Sequence, residues 1–255
     1  MAVKFFVRFN LHNSLCSDPP SVDTLRSHLN MSDGDIGAML CEIDEMQNAR
    51  AERLIKKYPK QAEALRGKKV VFLGDSITND NLGYRESVTR AGSLEAFDGS
   101  VSGGTSSTVV HTAKMLIEQH KPDIVSVMLG SNDSVMIEEP DLCQVSPEEY
   151  GRNVARIVRW AKQSGAEVLL FEIPPVVEER FEKSFSSQSK AQTNANVHSY
   201  NEILKKIADE NGIKLRSNAW LSEDDRLIEL DGIHLSISGQ ERFAEQWLLY
   251  AAETI

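Results

Sequence analysis

The fold is decided by residues 70–80, VVFLGDSITND. Four apolar residues, Val70 to Leu73, stop at Gly74, and Asp75, Ser76 and Thr78 follow at once. A short apolar run closed by glycine and hydrogen-bonding side chains predicts a buried strand that ends in a tight turn. Ser76 then has two readings. Its hydroxyl can cap a helix that starts there, because the first-turn N–H groups lack partners. It can also be a nucleophile held at the carboxyl edge of a sheet. The choice depends on what the rest of the chain brings to that edge.

The same pattern recurs downstream. Strand-length apolar runs at 69–73, 94–97, 124–129, 167–173 and 213–217 alternate with helix-length amphipathic segments. The runs are continuously apolar, as expected of strands covered on both faces. Around 146–165, Ser146 and Glu149 have capping-box spacing, and Pro147 suits the first helical position. Tyr150, Val154, Ile157, Val158 and Ala161 make an inner stripe, and Gly165 ends it. A second helix, near 194–211, ends at Asn211-Gly212. This alternation predicts an α/β fold, a parallel five-stranded sheet between two helical layers.

Ligands of such open sheets lie beyond the carboxyl ends of the strands. The segments expected there are GDSIT, DGSVSGGTSS, GSND, the longer PPVVEERFEKSFSSQSK, and DGIHLS before the last helix. The first sixty-odd residues are different. Pro19 and Pro20 precede a short predicted helix with Leu25 and Leu29. Ser32 can cap a longer one carrying Ile36, Met39, Leu40, Ile43 and Met46, continued by Leu54, Ile55 and Tyr58 up to Pro59. This methionine-bearing stripe predicts packing on a core or on another subunit. Residues 1–66 are therefore read as an N-terminal helical extension and 67–255 as the main domain.

The 255-residue chain is 41% hydrophobic and 26% charged, with a net charge of −10. An acidic balance disfavours nucleic acid and anionic membrane surfaces as partners. No apolar run approaches the roughly 20 residues that span a bilayer. The apolar patch in MAVKFFVRFNLHN is interrupted by Arg8, unlike a signal peptide, so a cytoplasmic location is expected. Three cysteines, Cys16, Cys41 and Cys143, are too few and too scattered for a disulfide framework.

A serine hydroxyl attacks poorly unless a base takes its proton. Of the six histidines, His12 and His28 fall in the extension, and His111, His120 and His198 in or beside predicted helices. His234 stands in a loop, with Asp231 three residues before it and Gly232 between them. One tight turn can hold that carboxylate against the far ring nitrogen, as a Ser–His pair requires. An oxyanion formed on attack needs preorganised donors. The backbone N–H of Ser76, the N–H of Gly103 and the side-chain amide of Asn132 are available after strands expected to be neighbours.

GDSIT, SVSGGTS, GSND and DGIH, in this order, resemble the four sequence blocks of the SGNH (GDSL-type) hydrolases. The resemblance covers roughly residues 68–250 and leaves the N-terminal segment unexplained. It implies a flavodoxin-like three-layer α/β/α sandwich. By motif position it implies a Ser76, Asp231 and His234 triad, and an oxyanion hole from Ser76, Gly103 and Asn132. It requires no metal or organic cofactor. Two positions depart from many relatives: Asp98 stands where asparagine is common, and Ser100 where glycine is.

Plainer readings stand beside these. Gly103 and Asn132 each suit a turn, and Asp231 with His234 could be two ligands of a metal, but no third accompanies them in a motif. The run Gly103–Ser107 could cradle a phosphate, but the P-loop lysine spacing is absent. Asp75 and Asp133 are expected to hold loop backbone. Trp220, Phe181, Phe185 and Tyr200 could line a substrate site or simply pack, and the polar segment 178–195 could wall the site. The expected function is hydrolysis of small oxygen esters, a short acyl group such as acetate on a carbohydrate or other polar alcohol. Lysophospholipid or thioester hydrolysis, and a binding protein that kept the fold, are the alternatives. A homo-oligomer through the N-terminal helices is a further possibility.

Overall fold

The computed structural model describes residues 8, 32–137, 142–185 and 190–255. The short helix expected around Leu25 and Leu29 lies outside these residues, as do Cys16, His12 and His28. All five expected strands form: β1 (Lys69–Gly74), β2 (Glu95–Asp98), β3 (Ile124–Met128), β5 (Glu167–Phe171) and β7 (Leu215–Arg216). They make one sheet in the order β2-β1-β3-β5-β7, and every pairing is parallel. The last two strands are shorter than expected. The ladder still reaches further, because Glu172 N–H donates to the Arg216 carbonyl at 2.9 Å.

Side chains of β1 alternate between the two faces. Val71 and Leu73 face α5 (Ser106–His120), α6 (Pro147–Ser164) and α8 (Asn194–Asn211). Val70 and Phe72 face α1 (Asp33–Lys57), α4 (Tyr84–Gly92) and α9 (Ile237–Thr254). The inner stripe of α6 is fully buried at Tyr150, Val154, Ile157, Val158 and Ala161. Its caps act as expected at Ser146, whose hydroxyl accepts from Glu149 N–H at 3.3 Å, and at Gly165, which is left-handed. The Glu149 carboxylate turns outward to Arg152.

Residues 33–64 join the main core. Ser32 caps α1 by accepting from Asp35 N–H, and α2 (Pro59–Ala64) follows at Pro59. Ala51, Leu54 and Leu65 share one cluster with Phe72, Tyr84, Phe243 and Trp247. Gln47 and Arg50 are buried in the same stripe. Gln47 Nε2 donates to the Asn81 and Gly83 carbonyls, and Arg50 Nη1 to the Leu82 carbonyl and Ser87 Oγ. The helix thus grips the loop behind Ser76.

Beyond the sheet, the segment after β5 is structured where described. α7 (Glu178–Phe185) buries Phe181 against Phe185, and β6 (Lys190–Ala191) pairs antiparallel with β4 (Met136–Ile137). Tyr200 is buried and donates to the Val145 carbonyl, so Phe181 and Tyr200 pack in the core, while half-buried Trp220 lies under Arg242. Among the described residues no helix is long and apolar enough to cross a membrane.

Candidate active site

The turn after β1 answers the question posed by GDSIT. Asp75, not Ser76, caps the short helix α3 (Ser76–Asn79): its Oδ1 accepts from Ile77 N–H at 3.0 Å. Ser76 is the first helical residue, so its hydroxyl is left for another partner. That partner is His234, whose Nε2 lies 2.7 Å from Ser76 Oγ. Gly74 is required just before: a Cβ there would fall 2.2 Å from Thr78 Oγ1 and 2.8 Å from the Met128 carbonyl.

The DGIH loop delivers the ring. Asp231 Oδ1 accepts the backbone N–H groups of Ile233 at 3.0 Å and His234 at 3.1 Å, while Oδ2 lies 2.6 Å from His234 Nδ1. One carboxylate therefore fixes both the loop and the ring. With a proton on Nδ1 directed at Asp231, Nε2 turns its lone pair to the Ser76 hydroxyl. Burial alone would raise the Asp231 carboxyl, but the His234 hydrogen bond and charge, with the two N–H groups, hold it below its ordinary value. Gly232 has φ +82° and packs so tightly that a Cβ would lie 2.5 Å from Phe181 N. The loop is closed by Glu229 N–H donating to the His234 carbonyl and Val177 N–H to the Gly232 carbonyl.

Two further loops reach the same edge. Gly103 is exposed at φ +71°, and a Cβ there would meet nothing within 4 Å. Its need for glycine is therefore conformational rather than spatial. Asn132 Nδ2 donates to the Gly104 carbonyl at 3.0 Å, which ties GSND to SVSGGTS. Asp133 is buried and accepts Ser106 N–H with both oxygens at 2.9 and 3.0 Å. Burial pushes its carboxyl up to about 6, against the pull of Ser106. Asp75 and Asp133, expected to hold loop backbone, instead each accept from a backbone N–H at the start of a helix, α3 and α5.

Asp98 and Ser100, the unusual positions of the second block, answer each other. Asp98 Oδ1 accepts from Ser100 N–H at 2.9 Å and from Ser100 Oγ at 2.5 Å. Arg85, largely buried, pairs with the other Asp98 oxygen. Asn79, which sequence reasoning missed, donates to Ser100 and accepts from Ser102 Oγ at 3.2 Å. It thereby joins α3 to the Gly103 turn. Its signal was its place three residues after Ser76, on the first turn of a helix facing the second loop.

The family model of the GDSL-like Lipase/Acylhydrolase family matches residues 72–242, from β1 into α9. The chain belongs to this SGNH/GDSL family. An arylesterase of Vibrio mimicus is 26% identical over 132 residues, which are 46% of this chain and 61% of the arylesterase. The chain thus matches less than two thirds of that relative's length. A lipase/acylhydrolase from Enterococcus faecalis superimposes with a TM-score of 0.57 at 16% identity, covering 73% of this chain and 96% of that one. A GDSL-like lipase from Bacteroides thetaiotaomicron gives 0.56 at 19% identity, covering 78% and 96%. At these identities the two structures show a shared SGNH fold. Among the described residues no group of three or more His, Cys, Asp or Glu side chains could hold a metal ion.

Proposed function

We propose that this SGNH-family chain is a serine ester hydrolase that works through an acyl-enzyme. The observation that carries the reading is the continuous hydrogen-bond chain from Ser76 Oγ to His234 at 2.7 Å and on to Asp231 at 2.6 Å. Ser76 Oγ attacks the ester carbonyl carbon while His234 Nε2 takes the hydroxyl proton. Asp231 stabilises the imidazolium that results. The tetrahedral oxyanion is held by the N–H groups of Ser76 and Gly103 and by Asn132. One Asn132 amide hydrogen is spent on Gly104, and the other is available to the oxyanion. Collapse expels the alcohol, which takes the proton from His234. Water activated by His234 then frees the acid and restores Ser76.

Small oxygen esters are the substrates we favour, with a short acyl group such as acetate on a carbohydrate or other polar alcohol. Support comes from the polar side chains beside Ser76 and Gly103, namely Asn79, Ser100 and Ser102. Ala51 and Leu54 of α1 are buried in its own chain, whereas Ile43 and Met46 are half-buried and Ile55 is exposed, and a homo-oligomer formed through this helix would use that remaining apolar surface. Light scattering of the full chain tests that pairing.

The test of the activity is nitrophenol release from an ester series running from acetyl to dodecanoyl, by the wild type and Ser76→Ala. The reading expects turnover by the wild type alone, fastest on acetyl. A maximum on the longest chains would replace the acetyl assignment with lysophospholipid or thioester hydrolysis. Equal rates for the two proteins would end the assignment of Ser76.

A further inference from the structure

Residue 8 interrupts the apolar N-terminal patch with a positive charge, and the site described so far gives it no role. Arg8 is nonetheless 6% exposed, and its guanidinium lies between the two loops that carry Ser76 and His234. Its Nε sits 3.0 and 2.9 Å from the two oxygens of Asp80, four residues after Ser76. Its Nη1 pairs with Glu229, and its Nη2 donates to the Leu235 carbonyl at 2.6 Å. Leu235 follows His234 directly, and Glu229 N–H bonds the His234 carbonyl. The Arg8 carbonyl in turn accepts from Asn81 N–H at 2.7 Å.

Asp80 is fully buried, and a lone charge there would be costly. Its burial raises its pKa, and Arg8 provides the largest opposing charge. The remaining donors to Asp80 are Leu82 N–H and Gln240 Nε2, both neutral. A lysine could not replace the arginine, because a single ammonium cannot reach two carboxylates and a carbonyl in one planar fork.

We propose that Arg8 is a positioning residue that locks the Ser76 helix to the His234 loop and so completes the active site from outside its reacting groups. The inference rests on the roles proposed for Ser76 and His234. It assigns to residue 8 control over the distance between them, and an error of an ångström in such a distance can cost about 10²-fold in rate.

Full-length Arg8→Ala, Arg8→Lys and Glu229→Gln variants test it, with rates normalised to active sites titrated by a phosphonate. Arg8→Ala should lower kcat on nitrophenyl acetate by about 10²-fold, with KM within about twofold. Millimolar guanidinium should restore part of the loss. Arg8→Lys should keep the fold and recover little. Unchanged kcat per titrated site, with only a lower melting temperature, would make Arg8 a purely structural ion and overturn the proposal. Amide hydrogen exchange of the peptides around 75–83 and 226–236 gives a readout independent of turnover. Faster exchange there alone supports the lock, and uniform or unchanged exchange rejects it. A wild type that neither turns over nor reacts with phosphonate would refute the esterase reading instead, while the exchange result would still decide whether Arg8 ties the loops.

Discussion

The two faces of the central sheet are built differently. On the side of α5, α6 and α8, the packed stripe of α6 holds Val154, Ile157, Val158 and Ala161, all fully buried, and one buried polar residue, Asn153, which donates to Ser106 Oγ and Ser107 Oγ. On the side of α1, α4 and α9, apolar anchors such as Phe72, Phe243 and Trp247 are interleaved with buried Gln47, Arg50, Ser87 and Gln240. Those polar groups point to the segment just after Ser76. Gln240 donates to the Ile77 carbonyl and Asp80, and accepts from Tyr84 N–H. The first face contributes cohesion, and its buried Asn153 and Tyr150 hold the start of α5 and the Leu129 carbonyl. The second face contributes cohesion and also fixes where the GDSIT turn sits. Apolar contact is non-directional, whereas a buried hydrogen bond is lost unless its partner is in place.

Substitutions can break or sharpen this contrast. The largest effect belongs to the edge that both faces support. Asp231→Asn should lower kcat by about 10⁴-fold with little change in stability, measured by ester turnover and thermal melting, because the ring loses its orienting acceptor. Ile157→Ala, on the first face, should cost about 3 kcal/mol in denaturant unfolding and leave kcat per folded molecule unchanged. A large loss of kcat there would mean that this face also sets site geometry. Gln47→Leu, on the second face, should cost only about 2 kcal/mol, since two carbonyls and Ser87 lose a partner. It should lower kcat several-fold all the same, and a normal kcat would erase the contrast. Ser146→Ala, a cap far from the site, should cost about 1 kcal/mol and nothing in turnover.

A pH-dependent effect is expected at Asp133. Its folded carboxyl titrates at about 6, above the ordinary 3.8, so between these values the folded state binds more protons than the unfolded one. Stability contributed by this group is full below the lower value and is lost as pH rises through the upper one. The stability advantage of wild type over Asp133→Asn should therefore shrink as pH is raised, and then level off. A gap that widens with pH would contradict the burial assigned to Asp133.

The contrast also explains what the sequence made legible. Continuous apolar runs need only burial, and all five predicted strands and the inner stripe of α6 were found from periodicity. The meeting of Ser76, Asp231 and His234 was legible because each stands in a short polar segment after a strand or before the last helix, where side chains converge. The second-face network was not, since Gln47, Arg50 and Gln240 resemble surface residues until their partners are known. Gln240 meets Tyr84 across a separation of 156 residues. A trace was present: Gln47 and Arg50 stand on the stripe of Ile43 and Leu54, where a solvated residue would break the packing. Arg8 likewise looked like a mere interruption of an apolar patch, because its carboxylate partner lies 72 residues away.

The central claim is that Ser76 is a nucleophile activated by His234, and covalent labelling tests it most directly. Folded wild type and Ser76→Ala would each be treated with a fluorophosphonate and weighed intact. The account predicts one adduct on the wild type, mapped to Ser76 and accompanied by loss of esterase activity, and none on the variant. An unlabelled wild type, or equal labelling of both proteins, would contradict it.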